Sequence, residues 1–184
     1  MWESMFALRP ASAGDQEPIA AVIRARSAWM RQRGLNGWDS WESSADVLAA
    51  QAADPSFPVW VLADGDGLVV GCTSLYEQSP PWFWTEEEQA EPAFFLATTV
   101  TDPALAGRRA GALMAWSVLD MAARTGRRWV RRGTTEPGLV RYYRDVQGWA
   151  VVREKEHKGF LFTGLARLAE AQPGLPVRVG VAAS

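Results

Sequence analysis

Residues 98–126, TTVTDPALAGRRAGALMAWSVLDMAARTG, combine three local patterns in a fixed order. β-Branched residues predict a strand, small residues and arginines predict a turn, and apolar residues at helical intervals predict a long amphipathic helix. The turn, Gly107-Arg108-Arg109-Ala110-Gly111, places two cations beside unpaired N–H groups at the start of that helix, so it favours an anion. The predicted apolar stripe of the helix consists of Leu113, Met114, Val118, Leu119, Met121 and Ala122.

The composition indicates one compact domain. The chain has 184 residues, of which 48% are hydrophobic and 22% charged, and its formal net charge is −2. This length suits a single core, so we predict one domain over residues 1–165 and a C-terminal tail over 166–184. The small net charge argues against a nucleic-acid binder or a membrane-surface binder, because both rely on an excess of Lys and Arg.

Metal-ligating and disulfide-forming residues are scarce. Cys72 and His157 are the only residues of their types, so we predict no disulfide and no metal site. We also find no signal-peptide pattern and no run of about 18 apolar residues, and we therefore expect a cytoplasmic protein.

Hydrophobic periodicity and turn residues predict a mixed α/β sheet with the order β-α-α-β-β-β-α-β-α-β-β. Ser12, three residues before Asp15, predicts the cap of a first helix over 13–33. A second helix, beginning at a serine, is predicted over 44–53. Beyond Leu165 we expect a short helix and then a loosely held arm. The remaining predictions are strands over 5–9, 93–101, 128–134, 149–154 and 158–163, a hairpin over 57–77, a surface loop over 78–92 and a helix over 137–146.

Three segments in this order resemble the GCN5-related N-acetyltransferase (GNAT) superfamily, which transfers an acyl group from acetyl-CoA to an amine. FALRPASAGD opens the first helix, and TVTDPALAGRRAGALMAW stands where the family has its CoA pyrophosphate loop. GLVRYYRDVQGW stands where the family has a helix that carries a tyrosine and ends in glycine plus an aromatic residue. The resemblance covers residues 6–162 and implies a GNAT-like acyl-CoA N-acyltransferase fold, with acetyl-CoA as the acyl donor.

The resemblance implies two adjacent CoA-binding segments. In the family, main-chain groups of the preceding strand hold pantetheine and polarise the thioester carbonyl, a role that falls here on Thr99, Val100 and Thr101. The pyrophosphate is implied to bind the residues that follow, which are Gly107, Arg108, Arg109, Ala110, Gly111 and Ala112.

The pyrophosphate loop departs from the family pattern of Gln or Arg, two residues, Gly, one residue, then Gly or Ala. With Gly111 as the last small residue, Ala106 holds the first position and Arg109 replaces a glycine. With Arg108 as the first position, Leu113 replaces the last small residue. We prefer the first register because it aligns Thr101-Asp102-Pro103 with the end of the family's strand.

The resemblance assigns the acid that protonates the departing CoA thiolate to Tyr143, with Tyr142 as the alternative. A phenol of pKa ~10 transfers a proton to a thiolate of pKa ~8.5 uphill by about 2 kcal/mol, so the role is chemically reasonable. Gly148 follows Tyr143 by five residues, where the family has four, and Glu136 stands where the family often has Asn.

The attacking amine has to be neutral, which for a lysine-like amine of pKa ~10.4 costs roughly 4.6 kcal/mol at pH 7. We predict Glu77, at the end of a hairpin strand, as the general base. Glu136 and the glutamates of residues 86–91 are the alternatives, and a solvated strand-end carboxylate is the competing interpretation.

Four tryptophans lie in two predicted loops that flank the acceptor cleft in the family. Trp38, Trp41, Trp82 and Trp84 are predicted to form an aromatic wall for an apolar, aromatic or cationic acceptor. Ordinary packing or a homodimer contact is the alternative.

Two further groups of residues are given structural roles. The arginines of residues 127–132 are predicted to face solvent near the CoA site, and Cys72 is predicted to pack in the core.

The leading hypothesis is acetyl-CoA-dependent N-acetylation of a small-molecule amine by direct attack in a ternary complex. The alternatives are a non-catalytic acyl-CoA-binding or sensing module on the same fold, and a protein or peptide N-acetyltransferase. The fold does not choose among them.

Overall fold

A computed structural model describes residues 6–180, which form eight strands of one mixed sheet and five α-helices. The strands are β1 (Phe6–Pro10), β2 (Val59–Asp64), β3 (Val69–Tyr76), β4 (Ala93–Thr101), β5 (Trp129–Thr134), β6 (Ala150–His157), β7 (Phe160–Leu168) and β8 (Val177–Val179). The helices are α1 (Gln16–Gln32), α2 (Trp38–Ala50), α3 (Glu86–Ala90), α4 (Ala110–Arg124) and α5 (Pro137–Asp145). The strand order is β6-β7-β5-β4-β3-β2-β1-β8.

The predicted fold class is confirmed, with β4 matching its predicted bounds. Short 3₁₀ turns flank three helices, namely Ala13–Asp15 before α1, Gln51–Ala53 after α2 and Pro103–Arg108 before α4. The first two lie inside the helices predicted over 13–33 and 44–53. The structure adds α3 and β8 to the predicted order. No helix among residues 6–180 is long and apolar enough to cross a membrane.

The described chain divides into two compact units. Unit 1 contains residues 6–74, 98–117 and 174–180, and unit 2 contains residues 75–97 and 118–173. The prediction of one domain over residues 1–165 stays a prediction.

Unit 1 is built on the β1, β2 and β3 strands and on the α1/α2 pair. β1 pairs antiparallel with β2, and β2 pairs antiparallel with β3. Three small residues of α2 and its 3₁₀ extension, Ala45, Ala49 and Ala52, are buried in one core cluster with apolar residues of α1. At the start of α1, Asp15 accepts the Ser12 N–H at 2.8 Å, which confirms the predicted capping box.

Two predictions within unit 1 are wrong. Helix α2 begins at Trp38 and not at a serine, because Gly37 adopts a left-handed φ of 89° and its carbonyl accepts the Trp41 N–H. The C-terminal arm is also held, since Val177–Val179 pairs in parallel with β1 as strand β8. Met5, the predicted start of β1, lies outside the described residues, as does the end of the arm beyond residue 180.

Unit 2 contains the β5, β7 and β6 strands and an aromatic cluster. β7 pairs antiparallel with both β5 and β6. Gly133 of β5 lies opposite Gly164 of β7, and both leave room for an aromatic ring. An added Cβ would lie 1.8 Å from the ring of Phe162 at the first position and 2.1 Å from the ring of Phe83 at the second. The glycine pair is therefore required by close ring packing across the two strands.

The predicted surface loop over residues 78–92 is wrong in its interior. Thr85 caps the short helix α3, with its hydroxyl accepting the Glu88 N–H, while Phe83 and Trp84 are buried. The sequence Thr-x-x-Glu is a capping-box signal that would have identified this helix. The helix expected after Leu165 is also wrong, because β7 continues to Leu168.

Candidate active site

The second half of β4 departs from regular strand geometry. Thr98 has a φ of 51°, which is an outlier for a β-branched residue. The ladder between β4 and β5 runs from Ala93–Trp129 to Leu96–Arg132 and ends before this point. Irregularities of this kind concentrate next to functional sites, where a fold tolerates local strain.

The residues implied to hold pantetheine are fixed by unit 1 side chains. The Thr99 hydroxyl lies 2.9 Å from the Thr73 hydroxyl. Arg26 of α1 donates from Nε and Nη2 to the Thr101 carbonyl at 3.1 and 3.0 Å, and from Nη2 to the Thr101 hydroxyl at 2.7 Å. Burial lowers the pKa of Arg26. Val100 is buried between these anchored neighbours.

Sequence reasoning missed Arg26, although a signal was available. Ile19, Val22 and Ile23 are buried in the core, and positions three and four residues apart continue the same helix face. Arg26 and Ser27 extend this face, so a half-buried Arg26 could have been predicted.

Arg109 connects the 3₁₀ turn Pro103–Arg108 to α4 in a left-handed conformation, with φ 57° and ψ 37°. Its carbonyl accepts the Leu113 N–H at 3.0 Å, the first bond of the α-helical type at this end. The N–H groups of Ala110, Gly111 and Ala112 stand at the positive end of the helix dipole. The position that a glycine occupies in the preferred family register thus has the backbone conformation that glycine favours.

The two arginines of the turn have different surroundings. Arg108 donates from Nη1 to Oδ2 of Asp64 at 2.9 Å and lies over the Phe6 ring. This hydrogen bond is the main reason that the pKa of Asp64 is lowered. Arg109 is exposed, lies 5.2 Å from the Trp116 ring centroid, and forms no ion pair within residues 6–180. Arg109 therefore presents the unpaired guanidinium at this helix start.

Tyr143 of α5 bonds to a buried arginine. Arg132 is 4% exposed, its Nη2 donates to the Tyr143 hydroxyl at 2.9 Å, and its guanidinium lies 3.7 Å from the Tyr143 ring centroid. Burial lowers the pKa of Arg132, and interaction with Tyr143 opposes that shift. Tyr142, the alternative acid, is exposed.

The turn after α5 absorbs the extra residue in the tyrosine motif. The N–H groups of Val146 and Gln147 both reach the Tyr142 carbonyl, and Gly148 then takes a left-handed φ of 74°. The Trp149 N–H consequently returns to the Tyr143 carbonyl at 3.0 Å. The buried Trp149 side chain therefore lies beside the tyrosine helix despite the longer spacing.

The proposed bases differ in exposure: Glu77 and Glu136 are exposed, whereas Glu88 and Glu91 are partly buried. Glu77 has a side chain that is 74% exposed and that pairs with Arg127. Glu136 is the exposed N-cap residue of α5. Glu88 pairs with Arg153 and Glu91 with Arg131. Within the described part of unit 2, none of these carboxylates forms a hydrogen bond with Tyr143.

The four tryptophans of the predicted acceptor wall differ in exposure. Trp38 and Trp41 are half-buried in the first turn of α2, and the Arg31 guanidinium lies 4.8 Å from the Trp38 ring centroid. Trp82 is half-buried and stacks on His157 with ring centroids 4.0 Å apart. Trp84 is 2% exposed and belongs to the aromatic core cluster of unit 2. The acceptor role of all four and the homodimer contact stay predictions.

The expectation for the arginine cluster is wrong at two positions. Arg131 and Arg132 are 2% and 4% exposed, because β5 is paired on both sides and its two faces are covered. Cys72 is buried as predicted, and burial raises its pKa to about 12. Among residues 6–180, no cluster of three His, Cys, Asp or Glu side chains could hold a metal ion.

Comparison with solved structures identifies the fold. An acetyltransferase of the GNAT family from Listeria monocytogenes superposes with a TM-score of 0.66 at 13% identity, covering 89% of this chain and 94% of that chain. This chain has the GNAT acetyltransferase fold. A protein from Salmonella typhimurium whose structure contains its cofactor acetyl-CoA gives a TM-score of 0.52 at 14% identity, covering 93% of this chain and 98% of that chain.

A third similar structure with the GNAT fold is a variant of spermidine N-acetyltransferase from Vibrio cholerae. It gives a TM-score of 0.58 at 13% identity, covering 90% of this chain and 95% of that chain. No family model and no curated protein matches the sequence. The resemblance drawn from the three motifs is therefore confirmed at the level of the fold.

Proposed function

We propose that this protein is an acetyl-CoA-dependent N-acetyltransferase that acts on a small-molecule amine. The observation that carries the proposal is the start of α4, where a left-handed Arg109 with an unpaired guanidinium precedes the free N–H groups of the helix. This arrangement is suited to a pyrophosphate. The GNAT fold supports the proposal, since one similar structure contains acetyl-CoA and another is a spermidine N-acetyltransferase.

The residues of the turn fit a bound pyrophosphate. An added Cβ at Gly107 would meet no atom within 4 Å, so the space beside this residue is open. Ala110 and Ala112 add little bulk, and Gly111 would meet only the Thr101 side chain, at 3.8 Å. In this proposal Arg109 binds phosphate oxygens, while Arg108 holds the turn to Asp64.

In the proposed reaction, main-chain groups of Thr99 and Val100 orient the thioester and polarise its carbonyl. The amine nitrogen forms a bond to the acyl carbon as the carbon–sulfur bond breaks. Tyr143 gives its hydroxyl proton to the departing sulfur. The proton lost by the amine passes to Glu77 through water, and Trp38, Trp41 and Trp82 contact the acceptor.

Binding is tested by the thermal stability of the protein with and without acetyl-CoA. At 100 times Kd, a ligand adds about 2.7 kcal/mol, which for a chain of this size raises Tm by roughly 5–11 °C. We expect Arg109→Ala to reduce this rise. Arg124→Ala, at the opposite end of the same helix, is the matched control and should leave the rise unchanged. The absence of any rise in the wild type would exclude an acyl-CoA protein.

Catalysis is tested by thiol release from acetyl-CoA with a panel that contains polyamines, aromatic amines and basic peptides. Release with small amines and a product heavier by one acetyl group support the proposal. Binding without release from any amine would favour the sensing module. Release with peptides alone would favour protein or peptide acetylation.

A further inference from the structure

Arg132 is a buried cation whose recorded polar partner is a neutral phenol. Its guanidinium lies 3.7 Å from the ring centroid of Tyr143 and 5.2 Å from that of Trp149, and its Nη2 donates to the Tyr143 hydroxyl. Within residues 6–180, no carboxylate forms an ion pair with this side chain. The positive charge is therefore left without a counter-charge.

The adjacent residue of the same strand shows the usual compensation. Arg131 is equally buried, but it pairs with Glu91 at 2.9 Å and donates to the Ser79 hydroxyl and the Glu88 carbonyl. Burying a cation without such partners is costly. A site that keeps an uncompensated charge is adapted to a state in which a negative charge forms beside it.

We propose that Arg132 is a positioning residue that holds the Tyr143 hydroxyl and stabilises the phenolate formed as Tyr143 protonates the departing CoA thiolate. This inference rests on the role of Tyr143 in the proposed function. The O–H bond of Tyr143 breaks as an S–H bond forms on CoA, and the electron pair of the former carbon–sulfur bond stays on sulfur. Water later returns a proton to Tyr143, and Arg132 keeps its own protons throughout.

Two tyrosines are the titratable groups that interact with the Arg132 guanidinium. Tyr142 and Tyr143 of α5 are the titratable groups whose charges act on the guanidinium. The Trp149 ring before β6 and the two ladder partners of Arg132, Leu165 of β7 and Leu96 of β4, are apolar. A change in the alkaline pH profile on removal of Arg132 would therefore report on a tyrosine.

The test is a double-mutant cycle with Arg132→Met and Tyr143→Phe. We expect Arg132→Met to lower kcat roughly 10- to 100-fold, the range of a lost transition-state interaction, and to leave the KM for acetyl-CoA within about twofold. The alkaline limb of its pH–rate profile should move to higher pH, because the phenolate has lost its cation. In the Tyr143→Phe background, Arg132→Met should cause no further loss. Arg132→Lys, which keeps the charge, should recover part of the rate.

A second readout does not use activity. The chain has three tyrosines, so the absorbance of tyrosinate, measured with and without Tyr143→Phe, isolates the ionisation of Tyr143. Arg132→Met should raise the midpoint pH of that ionisation, and equal midpoints would overturn the inference. If Arg132→Met does not fold, Arg132→Gln replaces it in both experiments.

The outcomes separate this inference from the proposed function. If Tyr143→Phe leaves kcat unchanged, the acid role of Tyr143 fails, and the role given to Arg132 falls with it. If Tyr143→Phe lowers kcat but Arg132→Met does not, the role of Arg132 alone is refuted. The role of Arg132 is also refuted if the reductions in kcat caused by Arg132→Met and Tyr143→Phe are additive in the double variant.

Discussion

Replacing Arg109 separates backbone strain from charge at the start of α4. The residue has a φ of 57° and is exposed, with its guanidinium 5.2 Å from the Trp116 ring centroid. A left-handed conformation costs an L-residue about 1–2 kcal/mol, whereas glycine adopts it freely. Arg109→Ala and Arg109→Gly both remove the guanidinium. A difference in stability between the two variants therefore reports the cost of the left-handed backbone conformation.

The expected stabilities follow from these terms. Arg109→Ala keeps the strain and loses an exposed cation–π contact, which amounts to about 0.5–1 kcal/mol. Arg109→Gly loses the same contact and relieves the strain, but the glycine adds about 0.5–1 kcal/mol of unfolded-state entropy. We therefore expect the glycine variant to be more stable than the alanine variant by about 1 kcal/mol, or roughly 2–4 °C in Tm for a chain of this size.

Urea denaturation of the two variants and the wild type measures this difference, and acetyl-CoA titration measures the loss of charge. Both variants should bind acetyl-CoA more weakly by similar factors, roughly 10-fold or more, since a charge-assisted hydrogen bond contributes about 1.5–3 kcal/mol. An alanine variant at least as stable as the glycine variant would refute the left-handed assignment. Unchanged affinity in both would refute the phosphate contact.

Three further predictions concern residues outside this turn. Gly133→Ala should destabilise unit 2 by about 1–3 kcal/mol in urea denaturation, because the new Cβ would lie 1.8 Å from the Phe162 ring. Gly138→Ala is the control without a clash, because its new Cβ would lie 3.8 Å from the Arg141 side chain. Asp15→Asn should cost about 1–3 kcal/mol at pH 7. The Arg9 hydrogen bond lowers the pKa of Asp15. The stability that the ionised Asp15 supplies is therefore complete above the unfolded pKa of ~3.9 and is lost as pH falls through the lower folded pKa. A difference in unfolding free energy between wild type and Asp15→Asn that stays constant from pH 7 to 2 would contradict this. Cys72, with a pKa of about 12, should react with a thiol reagent at pH 8 only after denaturation, and rapid native labelling would contradict its burial.

Local patterns predicted the elements that carry their own signals. The bounds of β4 followed from its β-branched and aromatic run, and the cap of α1 followed from Ser12 and Asp15. Helix α2 was misplaced because its start depends on the backbone conformation of Gly37, which no side-chain pattern encodes. Strand β8 was missed because its three residues are too few to establish a periodic pattern, and pairing with β1 defines it as a strand.

The local structure of the turn was predicted because it depends on a contiguous segment. The turn at residues 107–112 lies at a helix start, and the departure at Arg109 coincides with a left-handed backbone. The contact of Arg26 and the burial of Trp84 were not predicted, because both depend on partners distant in sequence. Arg26 reaches Thr101, which is 75 residues away, and Trp84 packs with Phe95 and Ala166.

The two arginines at the centre of β5 show why charge patterns mislead in an interior strand. The prediction followed the general tendency of charged runs to face solvent. β5 is paired on both sides, so Arg131 and Arg132 are directed to opposite faces that are both covered. Each face then needs its own compensation. Glu91 supplies it for Arg131, whereas within residues 6–180 Arg132 has the Tyr143 hydroxyl and the rings of Tyr143 and Trp149 but no carboxylate. The unequal compensation of these two neighbouring arginines is the contrast on which the role proposed for Arg132 rests.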